Sequence, residues 1–197
     1  QGALADFDSA LAANPRNAEA YYNRGNAKAG SGDRLGAISD FNLALAIRPG
    51  LSQAFNNRGS IKLDLGDRQG ALADFDSALA ANPRNAQAYY NRGNAKAGSG
   101  DRLGAISDFG RALAVNPHFY EAYNNRGNAR AQLDDNQGAI ADFDRAISVN
   151  PRYPNSWFGR GLVKIQIGVR DGACEDLRMS LSLGFAPAAH MLSQLCR

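Results

Sequence analysis

The chain has 197 residues and carries 22 basic against 19 acidic side chains, which gives a formal net charge of +3 at pH 7. This charge is too small and too evenly distributed to favour nucleic acid as a main partner. The sequence has no run of about 18 apolar residues, the length that a membrane-spanning helix needs. Composition therefore indicates neither a nucleic-acid partner nor a membrane partner.

Residues 1–17 are predicted to form one helix and the turn that follows it. The same 17 residues recur unchanged as residues 69–85, where they are the second half of a longer unit. The opening unit thus lacks its first half, and we expect the sequence to be a piece of a longer array. Leu4, Phe7 and Leu11 follow a helical spacing. With no first helix to cover them, we expect this stripe to be exposed and to pair two copies as a homodimer rather than an open fibre.

A fixed period of 34 residues organises the rest of the chain. The motif Asn-Arg-Gly begins at residues 23, 57, 91 and 125, and Gly-Arg-Gly follows at residue 159. A constant period in this range is typical of a solenoid of helical units. The predicted segments are a truncated repeat (1–17), the repeats 18–51, 52–85, 86–119 and 120–153, an atypical terminal repeat (154–187) and a capping helix (188–197).

Each full repeat is predicted to contain two antiparallel helices. In the first full repeat, one helix runs over about residues 18–31 and ends at Gly32. Asp33 is placed to cap the second helix. That helix carries an apolar stripe formed by Leu35, Ile38, Phe41 and Leu45.

Six positions of this unit are diagnostic: an aromatic residue at the fourth place, small residues at the eighth, twentieth and twenty-seventh, Phe at the twenty-fourth and Pro at the thirty-second. In the first full repeat they are Tyr21, Gly25, Ala37, Ala44, Phe41 and Pro49. This pattern resembles the tetratricopeptide repeat, over residues 1 to about 187. The resemblance implies an all-α, right-handed superhelical solenoid, here a bacterial-type array with an asparagine-rich concave face. It also implies a module for protein–protein interaction that has no catalytic activity.

Two places depart from the family pattern in every full repeat. Arg stands at the seventh place, where Leu is usual, and Lys or Arg stands at the eleventh. Each repeat also has Asp at its twenty-third place, and a guanidinium at a helix seam can bind a carboxylate through two parallel hydrogen bonds. We therefore predict structural ion pairs; the alternative is a solvent-facing charge stripe without fixed partners. The predicted pairs are Arg24 with Asp40, Arg58 with Asp74, Arg92 with Asp108, Arg126 with Asp142, and Arg160 with Asp176.

The first helix of each repeat leaves one face free, formed by the second, fifth, sixth, ninth, twelfth and thirteenth places. In the family this face lines the concave groove. The row Asn23, Asn57, Asn91 and Asn125 is similar to the asparagine ladder of superhelical members, in which an amide both donates to and accepts from a peptide backbone. The alternative is that Asn is simply an uncharged choice on a hydrated face. The other residues predicted to line the peptide site are Asn26, Asn94, Asn128, Tyr22, Asn56, Tyr90 and Asn124.

Residues that could carry catalysis or hold a cofactor do not form a recognisable pattern. The glycine-rich stretch 30–36 lies between two helices rather than after a strand, which argues against a dinucleotide site. His118 and His190 are isolated, so we expect no metal. Cys174 and Cys196 lack the spacing of a metal site or a disulfide framework, which favours a reducing compartment such as the cytoplasm.

The sequence therefore predicts a non-catalytic scaffold that binds an extended peptide or partner segment through its asparagine ladder. One alternative is a structural scaffold that assembles with itself through the ends of the repeats. Another is a helical-repeat nucleic-acid binder, which would need a continuous basic groove that these positions do not provide.

Overall fold

The computed structural model describes residues 2–196, apart from the side chain of Ala3. Within these residues it contains twelve α-helices and no strand, which confirms the predicted all-α helical-repeat solenoid. The helices are α1 (Gly2–Ala13), α2 (Ala18–Gly30), α3 (Arg34–Ile47), α4 (Ser52–Asp64), α5 (Arg68–Ala81), α6 (Ala86–Ala97), α7 (Arg102–Val115), α8 (Tyr120–Ala131), α9 (Asn136–Val149), α10 (Pro154–Gln166), α11 (Arg170–Ser182) and α12 (Pro187–Leu195).

The helices belong to two compact units, Gln1–Ala95 and Lys96–Arg197, and the boundary falls within α6. In the first unit, consecutive helices from α1 to α5 pack against one another, and the first helices α2 and α4 also touch. In the second unit, consecutive helices from α7 to α12 do the same, and α8 touches α10. Each unit is thus a series of helix hairpins that contact their neighbours in the chain.

A fully buried aromatic ring forms the centre of the hairpin in four of the repeats. These rings are Phe41, Phe75, Phe109 and Phe143, and Leu177 takes the same place in the last repeat. The facing helix has a small residue at this point because there is no room for a larger one. A Cβ added to Gly25 would lie 2.8 Å from the ring of Phe41.

Leu35 does not belong to the buried stripe, so this part of the prediction is wrong. It is 73% exposed, whereas Phe41 and Leu45 are buried. At about 100° per residue, Leu35 lies about 120° around the helix from Phe41. The inward face of α3 is completed by Ala37 and Ala44 instead, both of which are fully buried.

A left-handed residue and a capping aspartate form the turn between the two helices of a repeat. Gly32 has φ = 89°, and the same place is held by Gly66, Gly100, Gly168 and, exceptionally, Asp134. Asp33 caps α3 as predicted, because its Oδ1 accepts a hydrogen bond from the Gly36 amide at 2.9 Å. The glycine-rich stretch 30–36 is therefore a helix-capping turn.

The apolar stripe of α1 is only partly exposed. Leu11 is buried, with 7% of its surface exposed, so the prediction that it is accessible is wrong. The reason is that α1 packs on α2. Leu4 and Phe7 are half-buried. Homodimer formation through these two residues stays a prediction.

The two cysteines are joined in a disulfide between α11 and the residue after α12. The inference that their spacing does not fit a disulfide framework is therefore wrong, and the two cysteines give no support for a reducing compartment. Sequence spacing could not reveal the pairing, because it depends on α12 packing back against α11. A cytoplasmic location stays a prediction. None of the helices in residues 2–196 combines the length and the apolar character that a bilayer crossing requires.

Replacing Gly32 by Ala should lower the free energy of unfolding by about 1–2 kcal/mol, because an L-residue is strained at this positive φ. Gly30→Ala is a matched control, since Gly30 is close by, has no positive φ and has no atom within 4 Å of an added Cβ. Urea denaturation followed by circular dichroism would measure both. Equal stability of the two variants would contradict this account of the turn.

Candidate functional site

Arg24 and Asp40 form a two-bond ion pair between α2 and α3. Arg24 Nε donates to Asp40 Oδ2 at 2.9 Å, and Nη2 donates to Oδ1 at 2.7 Å. The same two-bond geometry joins Arg58 to Asp74, Arg126 to Asp142, and Arg160 to Asp176. Arg92 and Asp108 lie in different units, and their pairing stays a prediction.

The basic residue at the eleventh place is a second cation for the same carboxylate, a role that the sequence analysis did not assign. Lys28 Nζ lies 2.9 Å from Asp40 Oδ2. The equivalent contacts are Lys62 with Asp74, Lys96 with Asp108, Arg130 with Asp142, and Lys164 with Asp176. We call these groups of two cations and one buried carboxylate the ionic seam. The sequence does contain a signal for this second cation, because a basic residue recurs twelve residues before each Asp.

The ionic seam keeps the carboxylate of Asp40 charged although it is almost inaccessible to water. Asp40 is only 1% exposed. Burial alone would raise the pKa of Asp40, but the hydrogen bonds from Arg24 and Lys28 outweigh it and hold the pKa below its ordinary value. The hydrogen bond to Asp40 is likewise the largest cause that raises the pKa of Arg24. Both partners are therefore ionised near neutral pH.

The remaining nitrogen of four of these guanidinium groups links one repeat to the repeat before it. Arg24 Nη1 donates to Asp8 Oδ1 at 2.6 Å, and Arg160 Nη1 donates to Asp144 Oδ1 at 2.5 Å. Arg58 contacts Asn42 and Arg92 contacts Asp76 in the same way. Each guanidinium also lies over the aromatic residue at the fourth place, and the shortest such distance is 4.9 Å from Arg160 Cζ to the Trp157 ring centroid.

Gly110 interrupts this series in the second unit. It occupies the place of Asp8, Asp76 and Asp144, and a Cβ added to it would lie 3.6 Å from Arg126 Nη1 with no closer neighbour. The junction therefore has room for a side chain but offers no oxygen to this nitrogen.

The first prediction from the ionic seam concerns the Arg58–Asp74 pair. Arg58→Ala should destabilise the protein by about 3 kcal/mol, at the low end of the range for a broken buried pair because Lys62 still compensates Asp74. The double variant with Asp74→Ala should be more stable than the sum of the two single changes implies. A double-mutant cycle from denaturant titrations measures this coupling. A coupling energy of zero would show that the pair does not hold the helices together.

The second prediction concerns the interrupted junction. Gly110→Asp should raise stability by about 0.5–1 kcal/mol, because it supplies a carboxylate to Arg126 Nη1 at a partly exposed site. Gly110→Asn is the control for shape and helix propensity without charge. In 1 M salt the difference between the two variants should disappear. If Asp is no better than Asn at low salt, the carboxylate has not joined the seam.

The opposite side of the first helices carries amide and hydroxyl groups that bond to the neighbouring repeat. We call the fifth, sixth and ninth places of α2, α4 and α6 the amide face. Asn57 Nδ2 donates to Asn26 Oδ1 at 2.8 Å and, more weakly, to the Tyr22 hydroxyl at 3.4 Å. Asn91 Nδ2 donates to Asn56 Oδ1 at 2.9 Å and to Ser60 Oγ at 3.0 Å. The structure thus brings these predicted site residues together as links between repeats.

Two of the predicted peptide-site residues are buried, which differs from the expectation that they line an open face. Asn56 is 6% exposed and Asn124 is 3% exposed. Asn56 Oδ1 accepts from Asn91 Nδ2, and Asn124 Oδ1 accepts from Ser156 Oγ, so both lie in the contact between successive first helices. The calculation of the free face considered one helix alone and did not include its neighbour.

The remaining predicted site residues differ in how many partners they have. Among the described residues, the side chains of Asn23 and Asn128 make no hydrogen bond. Asn125 accepts from Asn124 Nδ2. Further contacts exist for Tyr90, Asn94 and Asn125.

His, Cys, Asp and Glu side chains do not cluster in groups of three that could hold a metal ion within residues 2–196. Asp40, Asp74, Asp142 and Asp176 are each bonded to two basic groups, and Asp108 is bonded to Lys96. The amide face is uncharged. Its chemistry is the donation and acceptance of hydrogen bonds.

Comparison with known proteins agrees with this architecture. The sequence profile described as "Tetratricopeptide repeat" matches residues 1–52, 56–101 and 90–156. The curated proteins compared with this sequence include no match.

Three solved structures illustrate the similarity of this chain to proteins with the same fold. A crystal structure of MamA is 25% identical, covering 84% of this chain and 91% of its own, with a TM-score of 0.75. YrrB, described as a TPR protein with an unusual peptide-binding site, is 20% identical over 96% of this chain and 98% of its own, with a TM-score of 0.78. A chain of the APC/C hetero-tetramer Cut9-Hcn1 is 19% identical over 97% of this chain and 38% of its own, with a TM-score of 0.82.

Proposed function

Because this chain belongs to the tetratricopeptide repeat family, we propose that it is a non-catalytic scaffold for protein–protein interaction that binds an extended segment of its partner along the amide face. The observation that carries the proposal is the row of half-buried amides whose orientation is fixed by hydrogen bonds between repeats. YrrB, which shares the fold, is described as having a peptide-binding site. An uncharged face of this kind suits a peptide backbone better than a phosphate backbone.

The hydrogen bonds assign different roles to the amides. The Nδ2 group of Asn57 is used within the protein, whereas its Oδ1 accepts one bond, from Asn56, and has a second lone pair. Asn26 is the reverse case, because its Oδ1 accepts from Asn57 and its Nδ2 has no partner among the described residues. A peptide N–H can therefore donate to Asn57 while a peptide carbonyl accepts from Asn26. An amide already fixed in this way loses little conformational entropy when the peptide binds.

The spacing of the repeats suits an extended chain. Packed helices lie roughly 8–10 Å apart, and an extended peptide covers about 3.3 Å per residue. Each repeat therefore meets the peptide about once in every three residues. In the first unit, Asn23, Asn57 and Asn91 would together bind a segment of roughly nine residues.

We expect the double change Asn57→Ala and Asn91→Ala to weaken binding of twelve-residue peptides, selected on the wild type from a random display library, by about 10-fold or more. The reason is that a hydrogen bond in each rung is worth about 1 kcal/mol. Fluorescence anisotropy at a temperature well below both unfolding transitions measures the affinity. Because these residues also link repeats, the melting temperature should fall modestly.

Asn42→Ala is the matched control, since it removes an inter-repeat hydrogen bond to Arg58 that lies outside the amide face. It should lower stability similarly and leave peptide affinity unchanged. Wild-type affinity in the double variant, or an equal loss in Asn42→Ala, would reject the amide ladder as the peptide site.

Self-assembly remains the alternative for this chain. Half-buried Leu4 and Phe7 are the side chains that would carry it. The burial of Leu11 against α2 reduces the apolar surface that such a contact could cover. Partner binding is therefore favoured as the main function.

A further inference from the structure

A cavity of about 360 Å³ opens between α8 and α10 in the second unit. Its wall includes the ninth, twelfth and thirteenth places of α8 and the sixth, ninth and thirteenth places of α10, which are the places predicted to lie on the free face. The lining residues are Asn128, Ala131, Gln132, Phe143, Gly159, Leu162, Val163 and Gln166.

Two substitutions in the repeat pattern, at the sixth and the ninth place of the last repeat, coincide with the cavity. Gly159 stands at the sixth place, where the four preceding repeats have Asn. At the equivalent junction in the first unit, Asn57 fills this space and bonds to Asn26 at 2.8 Å. Here no such side chain is present, and Asn128, the counterpart of Asn26, makes no side-chain hydrogen bond among the described residues.

The buried ring beneath the cavity depends on the same glycine. A Cβ added to Gly159 would lie 2.6 Å from Cε1 and Cζ of Phe143, which is closer than real Cβ contacts allow. The ring therefore packs directly against the Gly159 backbone. Leu162, at the ninth place where other repeats have Asn or Ser, is 36% exposed and adds an apolar wall.

We propose that this cavity binds one large aliphatic side chain of the partner peptide, such as Leu, Ile or Met. This inference rests on the proposed function, because the side chain is presented by a peptide bound along α8 and α10. Amide groups that bond to the peptide backbone do not distinguish one sequence from another, whereas a side-chain pocket does. The cavity thus adds a sequence preference to peptide binding along α8 and α10.

The dimensions and the chemistry of the cavity both point to this occupant. Its volume of about 360 Å³ accommodates one large aliphatic side chain. Ala131, Leu162 and Val163 provide apolar contacts for an aliphatic group. Asn128 at the rim has free donor and acceptor groups for the peptide amides on either side of that residue. The lining residues are all uncharged, which disfavours an acidic or basic side chain.

The probe for the test is N-acetyl-leucine N′-methylamide, with N-acetyl-alanine N′-methylamide as its matched control. In a titration followed by NMR, the leucine compound should shift the methyl signals of Leu162 and Val163 at concentrations at least 10-fold lower than the alanine compound. Burial of a Leu side chain corresponds to a factor of roughly 10–100 in affinity. Equal responses to the two compounds would overturn the proposal.

Two variants block the cavity in different ways. Leu162→Asn removes its apolar wall, and Ala131→Leu fills it while leaving Leu162 in place. Each should weaken binding of the leucine compound at least 10-fold, with Val163 methyl signals as the readout in both. Leu133→Asn makes the same chemical change at an exposed leucine outside the cavity and should bind as the wild type does. Unchanged binding in both blocking variants would contradict the assignment.

The same experiment separates this inference from the amide ladder. The variant with Asn57→Ala and Asn91→Ala should still bind the leucine compound with wild-type affinity, because both changes lie in the other unit. If library peptides lose affinity in that variant but not in Leu162→Asn, the ladder stands and the cavity proposal fails. If they lose affinity only in Leu162→Asn, the cavity stands and the ladder fails.

Discussion

The burial of a carboxylate in every full repeat is the constraint on which the rest of this structure depends. A charge taken out of water is costly unless it is paired and hydrogen-bonded. Asp40 meets this condition through Arg24 and Lys28, which both come from the other helix of the hairpin. The two helices can therefore pack in only one register. Since the same guanidinium reaches Asp8, the ionic seam also orients each repeat against the one before it.

The ionic seam also limits the residue types that are found on the opposite side of the first helix. The seventh and eleventh places share one side of the first helix, so the basic residues of each repeat are used there. The sixth and ninth places on the other side hold Asn or Ser in most repeats. The recognition that we propose for that side therefore depends on hydrogen bonds and apolar contacts rather than on charge. This division explains how a chain with 22 basic side chains has an uncharged amide face.

Features set within one repeat could be predicted from the sequence, whereas features set by a neighbouring element could not. The 34-residue period, the hairpins and the cap at Asp33 depend on local spacing, and the structure agrees with them. The burial of Leu11 depends on α2, and the burial of Asn56 depends on its contact with Asn91. The disulfide of Cys174 depends on the docking of α12. A basic residue at the place of Lys28 recurs in every full repeat. Its role could have been predicted if a second cation for Asp40 had been considered.

The duplicated sequence shows that the hydrogen bonds of the amide face depend on the contact between two successive repeats and not on the sequence of one repeat alone. Residues 1–41 and 69–109 differ only at Glu19 and Gln87. Yet Asn91 bonds to Asn56 and Ser60 of the preceding repeat, whereas the side chain of Asn23, with the same sequence around it, makes no hydrogen bond among the described residues. Where Gly159 and Leu162 replace the polar residues of the sixth and ninth places, a cavity takes the place of the hydrogen bond between repeats, while the ion pair of Arg160 with Asp176 in the same repeat is retained. In the proposed binding mode, such an array can change its ligand preference at one pair of neighbouring repeats at a time, while the packing of each hairpin stays the same.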